Sequence, residues 1–214
     1  MRLGLIVNPI AGLGGPAGLK GTDGADTPAR ALARGAEPVA GPRAAEALLM
    51  AASETARPFE ILTVEGEMGA KAARSAGFVP QVLPLHPGAP TTASDTADAG
   101  RDLVDAGGDL LVFAGGGGTA RDVVSVTGDR VPILGIPTGV KMHSAVFATS
   151  PANAGRLIAT LASGAQSRIA FAPREVMDID EAALCAGTLS ASLFGYALVP
   201  VERRLMQPAK GAAP

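Results

Sequence analysis

The run Asp109-Leu-Leu-Val-Phe-Ala-Gly115-Gly116-Gly117-Gly118-Thr119-Ala-Arg-Asp122 sets four consecutive glycines between an apolar segment and a helix-forming one. Glycine removes the side chain and permits unusual backbone angles, so the amide N–H groups of such a turn can approach a phosphate directly. A helix beginning near Thr119 adds its positive end to the same place. One helix terminus attracts an anion by only about 0.3 to 2 kcal/mol, so nucleotide binding needs several amides and a cation as well. The residue types for this stand in two other loops, Asn8 to Asp23 and Pro137 to Ser144. Lys20, Lys141 and His143 are candidate phosphate partners, with Asn8 at the start of the first loop. Asp23 and Asp122 are the carboxylates placed to handle a proton or to hold magnesium directly or through water. Blander readings stand beside these. Gly115 to Gly118 also suits a plain strand-to-helix turn, Thr119-x-x-Asp122 fits a capping box, and His143 fits an ordinary loop histidine.

The elements that must hold these loops can be read from apolar periodicity. Short β-branched runs at Leu3 to Val7, Phe59 to Val64, Val79 to Leu85, Asp109 to Ala114 and Val131 to Ile136 predict strands. Helices are predicted from Thr27-Pro28 to Gly35, from Pro42 onward, over Thr92 to Ala106, and from the Ser150-Pro151 cap to Ser163. Alternation of strand and helix implies an α/β fold: a Rossmann-like, mostly parallel sheet with helices on both faces. In such sheets ligands bind outside the carboxyl ends of the strands, where all three loops emerge. After Gly164 the pattern changes. Arg174 to Asp178 and Gly187 to Val199 read as strands without long helices between them. We therefore expect an α/β nucleotide-binding domain over residues 1–165 and a partial, smaller β-rich second domain over 166–214.

Composition narrows the function classes. Lys plus Arg (18) nearly balances Asp plus Glu (20), which removes the basic footprint of a nucleic-acid binder. The single cysteine, Cys185, and two histidines supply neither an internal disulfide nor a zinc cluster, and a reducing cytoplasm fits best. No window reaches the roughly 18 consecutive apolar residues of a membrane span. The Walker A, nucleophile-elbow and zinc-protease motifs are missing. Gly12-x-Gly14-x-x-Ala17 and Gly115-x-Gly117-x-x-Ala120 match the dinucleotide pattern, but neither is followed at the right distance by a ribose-binding acid, which counts against a dehydrogenase.

Asn8-Pro9 with the following Ala-Gly, the Gly115-Gly116-x-Gly118-Thr119 block, and Gly135-Ile-Pro-Thr-Gly-Val-Lys-Met-His-Ser144 together carry a resemblance. The chain resembles the superfamily of NAD kinases and diacylglycerol-type lipid kinases, most closely the ATP-NAD kinase-like branch related to acetoin-catabolism protein X. The resemblance implies ATP and NAD as ligands, a divalent metal such as Mg2+, and transfer of a phosphoryl group to the adenosine ribose 2'-hydroxyl. It also implies an aspartate at the position of Gly117, thought to act on the acceptor hydroxyl or the metal. A positioned acid or base contributes typically about 10² to 10⁴-fold to such a step. The resemblance further implies a longer β-rich domain than residues 166–214 supply. The partner expectations are nucleotide ligands, self-association into a homo-oligomer, and a separate chain completing the second domain. The reading is an NAD kinase-like phosphotransferase impaired by Gly117 and by a short C-terminus, with a non-catalytic nucleotide-binding or regulatory protein of the same fold as the alternative. No amphipathic membrane-binding stretch supports lipid phosphorylation.

Overall fold

A computed structural model of the chain describes residues 1–14, 27–139, 144–164, 169–179 and 191–208. Cys185 lies outside them. Five parallel strands form one sheet: β1 (Arg2–Val7), β2 (Glu60–Val64), β3 (Gln81–Leu83), β4 (Leu110–Gly115) and β5 (Ile133–Pro137), in the order β3-β2-β1-β4-β5. β1 to β3 step outward in one direction and β4 to β5 in the other. The order therefore reverses between β1 and β4, whose carboxyl ends face one crevice.

The interior strands are apolar at nearly every position because both faces are covered, and all six residues of β4 are buried. Helices α2 (Ala40–Glu54), α3 (Ala70–Ser75) and α6 (Pro151–Ala162) pack together, while α4 (Ala93–Asp105) packs with α5 (Gly117–Thr127). Right-handed crossovers put α2 and α3 on one face of the sheet and α4 and α5 on the other, and α6 joins the first face through its packing on α2. α1 (Thr27–Ala33) precedes α2 on the first crossover. The core is mixed aliphatic, with one aromatic contact at its centre: Phe113 and Phe147 meet edge to face at 5.4 Å. Gly135 is the position that admits Phe147, because a Cβ there would enter the ring.

Element boundaries differ from the sequence expectation, most clearly at β3 and α2. Val79 is 98% exposed, and β3 covers only Gln81–Leu83, because Pro80 has no N–H for a ladder. α2 starts two residues before Pro42, which sits in the first turn, where its missing N–H costs no helical bond. A 3-10 turn (Gly66–Met68) and α3 make the β2-to-β3 crossover, a helix too short to show a period.

The character change after Gly164 is a change of pairing. β6 (Ala170–Ile179) and β7 (Ala191–Val201) form an antiparallel two-stranded ribbon packed against α5 and β5; β6 starts four residues before the expected Arg174 and β7 runs two residues past the expected Val199. The Ser144 hydroxyl accepts from the Met177 amide at 3.0 Å, and the Gln207 amide donates to the Phe147 carbonyl at 2.8 Å. The chain leaving β5 is thereby fastened to the ribbon and to the segment beyond β7.

α6 opens as expected, with the Ser150 hydroxyl accepting from the Asn153 amide at 3.1 Å. α4 opens with a full capping box between Thr92 and Asp95. The Gly88 amide, then the Thr92 hydroxyl and amide, hold the Asp95 carboxyl below the usual carboxylate range. A carboxyl lowered in the folded state stabilises above its unfolded pKa, and that contribution is lost as pH falls through the folded value. Thr92→Ala should lower unfolding stability by about 0.5 to 2 kcal/mol in denaturant titrations. Asp95→Asn should be destabilised relative to wild type at neutral pH, and the gap should close at pH values below the ordinary carboxylate range.

Candidate functional site

The crevice is built from the exits of β1, β4 and β5. Only Gly116 separates β4 from α5. Gly116 is the helix cap, in extended conformation (φ -109°, ψ -165°), and the first helical bond runs from the Ala120 amide to the Gly116 carbonyl at 3.0 Å. The amides of Gly117, Gly118 and Thr119 therefore have no acceptor within the helix. No side chain caps them and no acidic residue stands in the first turn.

Two sequence expectations are corrected here. α5 starts at Gly117 rather than near Thr119, so Thr119-x-x-Asp122 is not a capping box: Thr119 already lies inside the first turn. Nor does the glycine run serve unusual backbone angles, since none of Gly115 to Gly118 has positive φ. The glycines matter for space. A Cβ on Gly115 would collide with the Thr119 side chain, whereas a Cβ on Gly116, Gly117 or Gly118 would meet nothing within 4 Å. Gly115 is buried for packing, and the next three keep the surface over the amides open.

Thr119 is the joint between loops. Its buried hydroxyl accepts from Asn8 Nδ2 at 2.9 Å, Asn8 Oδ1 accepts from the Ile10 amide at 3.2 Å, and the Asn8 amide donates to the Ala114 carbonyl at 3.0 Å. Asn8 thus locks the β1 exit to the first turn of α5. The same loop crosses to β5: Gly12, at φ +83°, packs so closely on the Thr138 carbonyl that a Cβ there would clash. The Thr138 amide in turn donates to the Gly115 carbonyl at 3.3 Å. Three loops anticipated to converge are tied pairwise.

The other candidates separate. Asp122 is five residues along α5 from Gly117, about 7.5 Å down the axis, so it does not stand at the helix mouth. Lys20, Asp23, Lys141 and His143 lie outside the described residues. Among the described residues no group of three or more His, Cys, Asp or Glu side chains is placed to hold a metal ion.

One residue escaped the sequence analysis. Arg43, half-buried in the first turn of α2, donates from Nη1 to the Pro137 carbonyl at 2.9 Å, at the carboxyl end of β5. The signal available was Pro42-Arg43 at a helix start, a cation where the helix dipole favours an anion.

The family profile described as ATP-NAD kinase N-terminal domain matches residues 3–165, which run from β1 through α6. The chain belongs to the ATP-NAD kinase family. No curated protein and no solved structure gives a match. The NAD kinase domain thus contains the whole parallel sheet and all three loops at its carboxyl edge. Among the described residues no helix is long and apolar enough to cross a membrane.

The packing of the loops makes a sharp contrast between adjacent glycines. Gly115→Ala should cost about 1 to 3 kcal/mol in unfolding free energy, because the Thr119 side chain has to move. Gly117→Ala, in open space on a helix, should be neutral or stabilising by up to about 1 kcal/mol. Urea titrations of the two variants test this, and equal effects would contradict the packing described.

Proposed function

We propose that the chain binds ATP and NAD at the carboxyl edge of its sheet and is an NAD kinase-type phosphotransferase whose chemistry is crippled at Gly117. The observation that carries this is the mouth of α5 at the point where strand order reverses: three backbone amides without helical acceptors, open space above them, and a matching NAD kinase domain. Phosphate oxygens suit these donors by charge and by hydrogen-bond geometry. In this reading residues 1–165 are the nucleotide domain and 166–214 belong to a second, β-rich one. The Gly135 to Ser144 block supports placement beside the acetoin-catabolism protein X branch.

The reaction proposed is transfer of the ATP γ-phosphoryl group to the adenosine ribose 2'-hydroxyl of NAD. A bond forms between the 2'-oxygen and the γ-phosphorus, the bond from that phosphorus to the β,γ-bridging oxygen breaks, and the hydroxyl proton must go to an acceptor. Gly117 offers no acceptor. Asn8, already bonded to Thr119 and Ile10, acts in this reading by holding the loops rather than by moving a proton. Lys20, Lys141 and His143 are assigned to the phosphates, and Asp23 and Asp122 are the remaining carboxylates. The second reading, a non-catalytic nucleotide-binding protein, is favoured by the same bare position at Gly117.

Wild-type NADP formation from NAD and the magnesium salt of ATP should be absent or very slow. Gly117→Asp, where a Cβ has room, should raise the rate by about 10²-fold or more. Gly116→Val, at an extended backbone position open to a side chain, should keep the fold and weaken ATP or NAD binding in calorimetry by about tenfold or more, since it covers the amides. Robust wild-type turnover would show that another group takes the proton. Binding without turnover in both proteins would favour the non-catalytic reading, and unchanged affinity in folded Gly116→Val would remove the phosphate-loop reading.

A further inference from the structure

We propose that Arg43 is the cationic arm of this site and that it selects ligands carrying two or more linked phosphates over a single phosphate. The inference rests on the nucleotide reading above and extends it to a residue that neither the glycine loop nor the family match assigns.

Four observations point the same way. First, Arg43 is the fourth residue of α2, so its guanidinium adds positive charge at the positive end of that helix. The α2 start has no acidic residue in its first turn and no side-chain cap. Second, the Arg43 guanidinium has a neutral carbonyl, that of Pro137, as its partner. A half-buried cation placed against a dipole, without a carboxylate, is stabilised by an anion arriving from outside. Third, one Nη1 donor holds the Pro137 carbonyl, which fixes the guanidinium plane at the end of β5 and leaves the rest of the donor fork for a ligand. Fourth, the adjacent Thr138 is 2% exposed and its hydroxyl has no hydrogen-bond partner, so polar capacity beside Arg43 is unused.

Peptide geometry sets the size of the ligand. The Thr138 amide points at the Gly115 carbonyl of β4, and the carbonyl of the same trans peptide, on Pro137, must point the opposite way. Arg43 therefore approaches β5 from the side away from β4, while the bare amides of Gly117 to Thr119 continue from β4. Neighbouring strands lie about 4.8 Å apart, so a lone phosphate resting on those amides does not also reach the guanidinium. A phosphate chain crossing the ends of β4 and β5 touches both.

The experiment is calorimetric titration of the full chain with ATP, inorganic tripolyphosphate and AMP, using wild type, Arg43→Gln and Arg43→Lys, with thermal unfolding recorded for each. Arg43→Gln should lose about tenfold or more in affinity for ATP and tripolyphosphate and stay within about twofold for AMP. Arg43→Lys keeps a charge but not the fork and should fall between the two, which preserves the test should Arg43→Gln fold poorly. Unchanged ATP affinity in either folded variant would overturn the proposal, as would an equal loss for AMP and ATP accompanied by a lowered melting temperature, which would make Arg43 a structural support for β5. In both of those cases wild-type ATP binding leaves the nucleotide reading standing. Wild type that binds none of the three ligands would instead remove the nucleotide reading and this proposal with it.

Discussion

Thr119 occupies the space that a side chain on Gly115 would need, and this close approach lets α5 begin with a single residue, Gly116, between it and the end of β4. The rest of the carboxyl edge depends on it. With Thr119 drawn in against the strand, its hydroxyl meets Asn8 and the β1 exit is pinned to the helix mouth. The Gly115 carbonyl remains available to the Thr138 amide, which brings in the β5 exit. A larger residue at position 115 would push the helix away from the strand and loosen both connections, since buried overpacking is relieved by backbone shifts. The rigidity of the candidate site thus comes from one missing methyl group rather than from any residue aimed at a ligand.

Binding and chemistry are separable in this arrangement. The donors at the mouth of α5 belong to the backbone and exist whatever side chains surround them, so they survive the absence of a carboxylate at Gly117. A proton acceptor is a side-chain property and does not. The same separation applies to charge. A helix mouth attracts an anion only modestly in water, and affinity in a shallow crevice grows with added charge-assisted contacts. The Arg43 guanidinium, anchored to the Pro137 carbonyl through Nη1, has the planar donor fork that such contacts use.

The β6–β7 ribbon is tied to the sheet close to this edge. The contact between Ser144 and Met177 joins the exit of β5 to β6, and Phe147, which packs into the core through Gly135, also accepts from Gln207. Two-stranded ribbons are marginal by themselves, so burial of Val176, Ala197 and Val199 toward the α/β core is what gives this one a fixed place. Displacement of the loop after β5 would be felt in the ribbon, and the reverse.

Local chemistry was legible in the residues alone. Alternating apolar runs and Ala-rich stretches marked the strands and helices, Ser150-Pro151 marked a cap, and four glycines between a buried strand and a helix marked the phosphate-loop candidate, because these signals act over a few residues and one structural period. Sequence spacing could not say which strands are neighbours. The reversal of order between β1 and β4 comes from long-range pairing, and it is what brings Asn8 to Thr119, 111 positions away. The start of α5 was misplaced for a related reason. Thr119 and Asp122 satisfy the local capping rule, but the threonine hydroxyl already has a tertiary partner, and the helix extends back through residues whose propensity argues against it. Arg43 left only a faint local trace for the same cause: its meaning lies in a contact with Pro137, 94 positions away, and only the packing of α2 across the sheet brings the two together.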